Sequence, residues 1–213
     1  MTKKAFTKGE ELANFISHLT GAVIGLVGAI LLIISAKGNS LQVMSAFIFG
    51  ISIILLYFSS AIFHGLKPGK AKRIFFLFDQ IGVYLLIAGT CTPIALLAIK
   101  GTLGWVVFGI VWLLAITGIT YKSLTKINFE KGVHPIQTAI YALMGCLILI
   151  GVGKFVKILH AWGIALLFAG VGFYLIGVFF FTYTRIKYNH LVWHLMVIAG
   201  TTSHYILVFK YLI

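Results

Sequence analysis

Acidic residues are nearly missing from this chain. Of its 213 residues only Glu10, Glu11, Asp79 and Glu130 carry a carboxylate side chain, against 17 lysines and arginines. Charged residues of both signs reach only 10%, where soluble chains hold about 25%. With 61% hydrophobic residues beside that scarcity, an ordinary soluble domain is excluded. Cysteine is scarce too. Cys91 and Cys146 both fall inside apolar runs, which excludes a disulfide framework and makes them small packing residues. Every connector is short, and there is no low-complexity segment or convincing repeat. The first apolar run is too long, and lacks the small-residue cleavage site, for a cleavable signal peptide. No phosphate-cradling glycine loop, serine-hydrolase elbow or dinucleotide fingerprint occurs in a suitable strand–helix setting.

What the chain has instead is apolar length. Seven stretches are long enough to span a bilayer, which takes about 20 residues. They run about 12–36, 41–66, 74–99, 101–121, 134–153, 158–184 and 188–212, broken only by Asp79 and Lys210. Turn signals separate them, as at Lys37-Gly38-Asn39-Ser40, Lys67-Pro68-Gly69-Lys70 and Lys100-Gly101, and Pro135 suits a first helical turn. Membrane-barrel strands would be half as long and would alternate. The expected architecture is all-α: one seven-transmembrane-helix bundle over 1–213.

A basic balance of this size usually points to nucleic acid. Here the basic residues sit in the connectors, which points to anionic lipid headgroups and to no nucleic-acid partner. Twelve of the 17 fall on the N-terminal side and five, Lys37, Lys100, Lys154, Lys157 and Lys210, on the other. The positive-inside rule then expects a multi-pass protein of the cell membrane, N-terminus cytoplasmic and C-terminus external. Trp105, Trp162, Trp193 and Tyr121 fall near helix ends, where interfacial anchoring is expected.

Polar residues within the spans are costly and mark function. Glu11, Asn14, His18, Gly21, Gly25 and Gly28 recur in alternating steps of three and four, one face of the first helix. Asp79, Gly82, Leu86, Gly89 and Pro93 make a similar stripe in the third. Small residues let helices approach closely in lipid; the ionisable residues that open both stripes require those faces to point inward. In the last span His190 and His194 lie four apart, on one helical face, a recurrent zinc-binding spacing.

Depth ties the set together, because a helix rises 1.5 Å per residue. His64 lies about 4–5 Å inside Lys67, Asp79 about 9 Å inside Arg73, and His190 and His194 about 4–11 Å inside Lys187. All four share one layer on the N-terminal side. Three histidines with an open fourth position form a catalytic zinc pattern, so His64, His190 and His194 are the expected ligands. Asp79 would orient the site or act as general base, and Ser60, one turn before His64, would bond a substrate carbonyl or orient the site. Glu11, Asn14 and His18 are expected to support the ligands or touch substrate. His204, about 25 Å deep, falls outside this layer. His134 and His160 begin helices near interfaces and read as structural.

At these residues the chain resembles the hemolysin III family, within the wider group of progestin and adiponectin receptors (PAQR) and more distantly the alkaline ceramidases. The matching pieces are Glu11-x-x-Asn14-x-x-Ser17-His18; Ser59-Ser60-Ala61-Ile62-Phe63-His64; Asp79-x-x-Gly82 through Gly89-Thr90-x-x-Pro93; and His190-x-x-x-His194 with Gly200-x-x-Ser203-His204. The resemblance implies a seven-helix bundle with an intramembrane Zn2+ held by His64, His190 and His194 and shaped by Ser60 and Asp79. It also implies a lipid as substrate or ligand, with amide hydrolysis of a ceramide-like lipid the best-known chemistry. The expected function is a zinc-dependent hydrolase of a lipid amide or ester. A membrane-lytic or pore-forming protein and a non-catalytic lipid sensor for membrane homeostasis are the alternatives. No span carries the end-to-end polar face that a single-chain pore would need.

Overall fold

The chain enters its first helix through a reciprocal cap. The Thr7 hydroxyl accepts from the Glu10 N–H at 3.2 Å, and Glu10 Oε2 accepts from the Thr7 N–H at 2.8 Å. Helix α1 then runs Lys8–Ser35. Asn39 starts the next by accepting from the Leu41 N–H at 2.9 Å, and α2 spans Ser40–Gly65. Helix α3 spans Lys70–Pro93 and α4 Gly101–Leu124. Helix α5 begins as Pro135–Cys146, tightens to a 3₁₀ stretch at Leu147–Gly151 and continues as Val152–Ile158. Helices α6 and α7 cover Ala161–Thr182 and Asn189–Tyr211. This computed structural model describes residues 6–36, 39–125, 135–183 and 185–213. Glu130, His134 and Lys3, Lys4, Lys37, Lys126 and Lys131 lie outside the described residues.

All seven helices are long and apolar enough to cross a membrane, and no strand occurs among the described residues. Helix α1 shows the physical logic. It buries Asn14, His18, Gly21, Gly25 and Ala29 and exposes Leu12, Ile16, Val23, Ile24 and Val27. Large apolar side chains face outward and small or polar ones inward, the reverse of a soluble helix. This suits a lipid solvent, in which helices associate by close packing. The glycine stripe does the expected work. A Cβ at Gly25 would lie 2.6 Å from Ile53 of α2, and one at Gly50 would lie 2.7 Å from Ala29 of α1. Helix α3 is the most enclosed of the seven. It packs on α2, α4, α5 and α7, and α7 closes the bundle against α1 and α6.

Several helix ends differ by a few residues from expectation, and those of α3 and α5 change the chemistry. Helix α3 starts at Lys70, not near 74, so Lys72 is a buried helical residue instead of a connector cation. Its far end does not stay α-helical. Pro93 offers no N–H, and Ile94–Ile99 continues in π turns that end at Lys100 with φ +55°. Helix α5 does not stop at 153. It runs to Ile158 because Lys154 finds acceptors inside the fold: its Nζ donates to Ile99 O at 2.7 Å and to Lys100 O at 3.1 Å. These are carbonyls at the end of the π segment, which helix geometry leaves short of partners. The aromatic expectation also needs one correction. Trp105, Trp162 and Tyr121 are exposed, but Trp193 is buried, packed on Phe181 and against Gly177.

Candidate metal centre

Four helices bring their polar residues to one end of the bundle, the end at which α1 begins. His64 comes from the last turn of α2, and His190 and His194 from the first turns of α7. One ring nitrogen from each can be chosen so that all three lie within 4.8 Å of one another, and all three residues are buried. The ring centroids stand 5.1 Å apart for His64–His190 and His64–His194, and 4.6 Å for His190–His194. The three expected ligands therefore converge. Ligand nitrogens around a tetrahedral zinc lie about 3.3 Å apart at bond lengths near 2.0–2.1 Å, so modest side-chain rotation closes the set.

Two of the rings have their free nitrogen fixed by what the other nitrogen does. Glu11 Oε2 sits 2.6 Å from His64 Nδ1. A carboxylate only accepts, so Nδ1 carries the proton and Nε2 keeps its lone pair. That Nε2 is buried and has no hydrogen-bond partner. On His194, Nδ1 lies 3.0 Å from Ser17 Oγ, which donates its own proton to Asn14 O at 2.8 Å. With the Ser17 proton on Asn14 O, Nδ1 is the donor in this pair as well, and Nε2 is the nitrogen with the lone pair. Outer hydrogen bonds of this kind hold the tautomer and orientation of metal-binding histidines.

Lys72 completes the arrangement. Its Nζ stands 2.9 Å from Glu11 Oε1, donates to Phe63 O at 2.9 Å and Leu66 O at 3.1 Å, and sits 4.7 Å from the centre of the Phe63 ring. The buried ammonium pairs with Glu11 beside His64 while tying the end of α2 to α3. Sequence reading placed Lys72 among the connector cations. A usable signal was present, because Lys72 is seven residues before Asp79 and shares its helical face. Ser17 was quoted in a motif but given no role; its burial beside His194 spans 177 residues of sequence and cannot be read locally.

The remaining expected residues fall around the cluster in different ways. His18 lies parallel to His194, with ring centres 3.5 Å apart and planes 6° apart. Coordination lies in the plane of an imidazole, so two stacked rings cannot share one ion; His18 braces His194. Both its ring nitrogens are buried without hydrogen bonds, as are both side-chain polar atoms of Asn14. Asp79 comes from α3. It borders an adjoining cavity together with His18, Gln80, Thr138 and His190. Ser60 is fully buried, and its Oγ makes no hydrogen bond, whereas Ser52 and Ser59 on the same helix bond to backbone carbonyls one turn back. Phe6 covers the cluster from the chain's start, its ring centre 4.9 Å from His190 and 5.7 Å from His64. His204 stays apart, with Nε2 3.1 Å from Leu167 O. His160 is exposed at the start of α6.

Next to the polar cavity lies a second one, lined mainly by apolar side chains of α3, α5, α6 and α7, among them Leu86, Ile87, Cys91, Val171 and Leu175. Leu56, Val83, Tyr141, Val178, Trp193 and Val197 border both cavities. The path is polar at the histidines and apolar beyond.

Comparison with known proteins places the whole chain in one family. The haemolysin-III related family matches residues 6–205. Hemolysin-3 of Bacillus cereus is 35% identical over 215 aligned residues, covering 100% of this chain and 96% of that protein. The Hemolysin-3 homolog of Bacillus subtilis (strain 168) is 38% identical, covering 97% of this chain and 96% of its own length. Monocyte to macrophage differentiation factor of Homo sapiens is more distant, at 26% identity over 95% of this chain and 84% of that protein. With most of its length matched, this integral membrane protein belongs to the hemolysin III family.

Proposed function

We propose that the protein is a zinc-dependent hydrolase of a lipid amide or ester, with the site on the cytoplasmic side of the cell membrane. The observation that carries this reading is the convergence of ring nitrogens from His64, His190 and His194, with Glu11 and Ser17 against Nδ1 of two of them, beside a cavity that is polar at one end and apolar at the other. The orientation rests on the twelve-to-five distribution of basic residues.

In this reading His64, His190 and His194 hold the ion, with one position left to water or substrate. A zinc ion there supplies Lewis acidity and lowers the pKa of bound water toward 7. Glu11 and Ser17 keep the ligand rings aimed. Asp79, at the wall of the polar cavity, takes the proton released as the carbonyl is attacked and passes it to the leaving amine or alcohol. The Ser60 hydroxyl, buried and uncommitted, donates to the carbonyl oxygen as negative charge develops there. The apolar cavity receives the acyl chain and excludes water from the reacting bond.

Metal analysis of purified wild type beside His194→Ala is the first test, followed by turnover over a panel of lipid amides and esters with Asp79→Asn. Expected are about one zinc per wild-type chain, loss of zinc in His194→Ala, and zinc-loaded but inactive Asp79→Asn. A zinc-free wild type sinks the reading. Zinc without turnover on any lipid moves the assignment to a lipid sensor. Dye release from liposomes at matched protein loading would favour a lytic role.

A further inference from the structure

The cavity that runs away from the histidines does not end on apolar side chains alone. Thr90 of α3 and His204 of α7 border it, 3% and 1% exposed. His204 Nε2 faces a carbonyl, Leu167 O at 3.1 Å, and a carbonyl only accepts. Nε2 therefore carries the proton, and Nδ1 is a bare acceptor, buried with no hydrogen-bond partner. Thr90 Oγ1 is likewise buried without a partner, although threonines in helices ordinarily bond to the carbonyl one turn back, as Thr92 does to Ala88 O at 2.8 Å. The neighbouring Tyr174 hydroxyl bonds to Thr201 Oγ1 at 2.9 Å and also interacts with Thr90, whose hydroxyl is left without a well-formed hydrogen bond. Gly170 leaves room for the imidazole; a Cβ there would run into the His204 ring.

A buried polar atom short of a good hydrogen bond carries a desolvation cost that a fitting ligand removes; His204 Nδ1 and Thr90 Oγ1 both border the cavity in that condition. Their depth is consistent on both helices. His204 is ten residues from His194 and Thr90 eleven from Asp79, about 15–16 Å along each axis. We propose that Thr90 and His204 form a second, neutral polar subsite, which binds a hydroxyl carried on the ligand's acyl chain about 15 Å from the group held at the histidines. A hydroxyl is the function both atoms can use, because it donates to His204 Nδ1 and accepts from Thr90. An oxo group can only accept from Thr90, and a plain chain answers neither. This rests on the reading that the cavity holds a lipid.

The test is equilibrium competition against a fluorescent acyl amide, using full-length, metal-replete protein in nanodiscs. The competitors are acyl amides with a plain chain, an oxo group or a hydroxyl at the matching depth. The hydroxyl chain should bind about tenfold more tightly than the plain one, the worth of one buried hydrogen bond, with the oxo chain between. Thr90→Val keeps the shape and should reduce the preference several-fold without weakening the plain chain; His204→Leu should do the same. Equal binding of the three chains by wild type overturns the subsite and leaves the lipid reading standing. Binding of none overturns both. A preference that survives in Thr90→Val and in His204→Leu overturns the assignment to these residues.

Discussion

Glu11→Gln separates the charge of the carboxylate from its shape. The glutamate accepts from two donors at once, His64 Nδ1 at 2.6 Å and Lys72 Nζ at 2.9 Å. A glutamine fits the space but has one accepting oxygen, so its amide N–H₂ must face one of those donors. Lys72 is the partner that can bear the loss, because Phe63 O and Leu66 O still accept from it, whereas His64 Nδ1 bonds to Glu11. The expected cost in stability is one charge-assisted hydrogen bond, about 1.5–3 kcal/mol, and not the full penalty of a stranded buried ion. For the metal, His64 keeps an accepting oxygen but loses the carboxylate charge behind it, so affinity should fall about tenfold, the lower end for a changed outer partner. Zinc affinity would be read by competition with a chelator, and stability by thermal unfolding in the same detergent. The double variant Glu11→Gln/Lys72→Gln should recover part of the stability, because a glutamine at 72 can meet the amide, and none of the zinc affinity. If wild type binds zinc and Glu11→Gln binds it equally, the carboxylate charge does not strengthen His64 as a ligand and that reasoning fails.

Ser17→Ala removes the acceptor of the His194 Nδ1 proton and should weaken zinc about tenfold, with thermal stability almost unchanged; a normal zinc affinity would count against it. Gly25→Ala should lower stability by about 1–3 kcal/mol, because the added methyl meets Ile53, whereas Gly109→Ala, with nothing within 4 Å, should be neutral or mildly stabilising in the same melt. Lys154→Met strips a donor from Ile99 O and Lys100 O and should cost about 1–3 kcal/mol, seen as an earlier melt with the zinc content intact. Chelation of the wild type should lower its melting temperature, and at free zinc one hundred times Kd the stabilisation restored is about 2.7 kcal/mol; His194→Ala should show no such response.

Sequence and structure agree where local periodicity carries the information. Apolar length located all seven spans, and the three-and-four stepping of Glu11, Asn14, His18 and Gly21 located the inward face of α1. Rise per residue brought His64 and the His190–His194 pair into one layer, and the structure has them in contact. Charge was a poorer guide. Lysines at 72 and 154 were read as connector residues because an ammonium is costly in lipid, yet each finds carbonyls left open at a neighbouring helix end. The carboxylate on His64 is Glu11 and not Asp79 because depth gives a layer, not an azimuth, and which side chain turns toward a given ring depends on the packing of α1 against α2 and α3. Trp193 shows the same limit: its depth suited an interface, but its face turned inward.

The hydrogen bond between Ser17 and His194 spans 177 residues, which sets an order of events during biosynthesis. At about 5–20 residues per second, α7 follows α1 out of the ribosome by roughly 9–35 s. Glu11 need not wait that long, since His64 is only 53 residues behind it and Lys72 follows soon after. The first three helices can therefore neutralise their buried charge while the rest of the chain is still being made. His18 and Asn14 have no such early partner. A chain truncated before α7 would thus insert with its charges settled but its histidine cluster unmade, and a metal ion could report only on completed molecules.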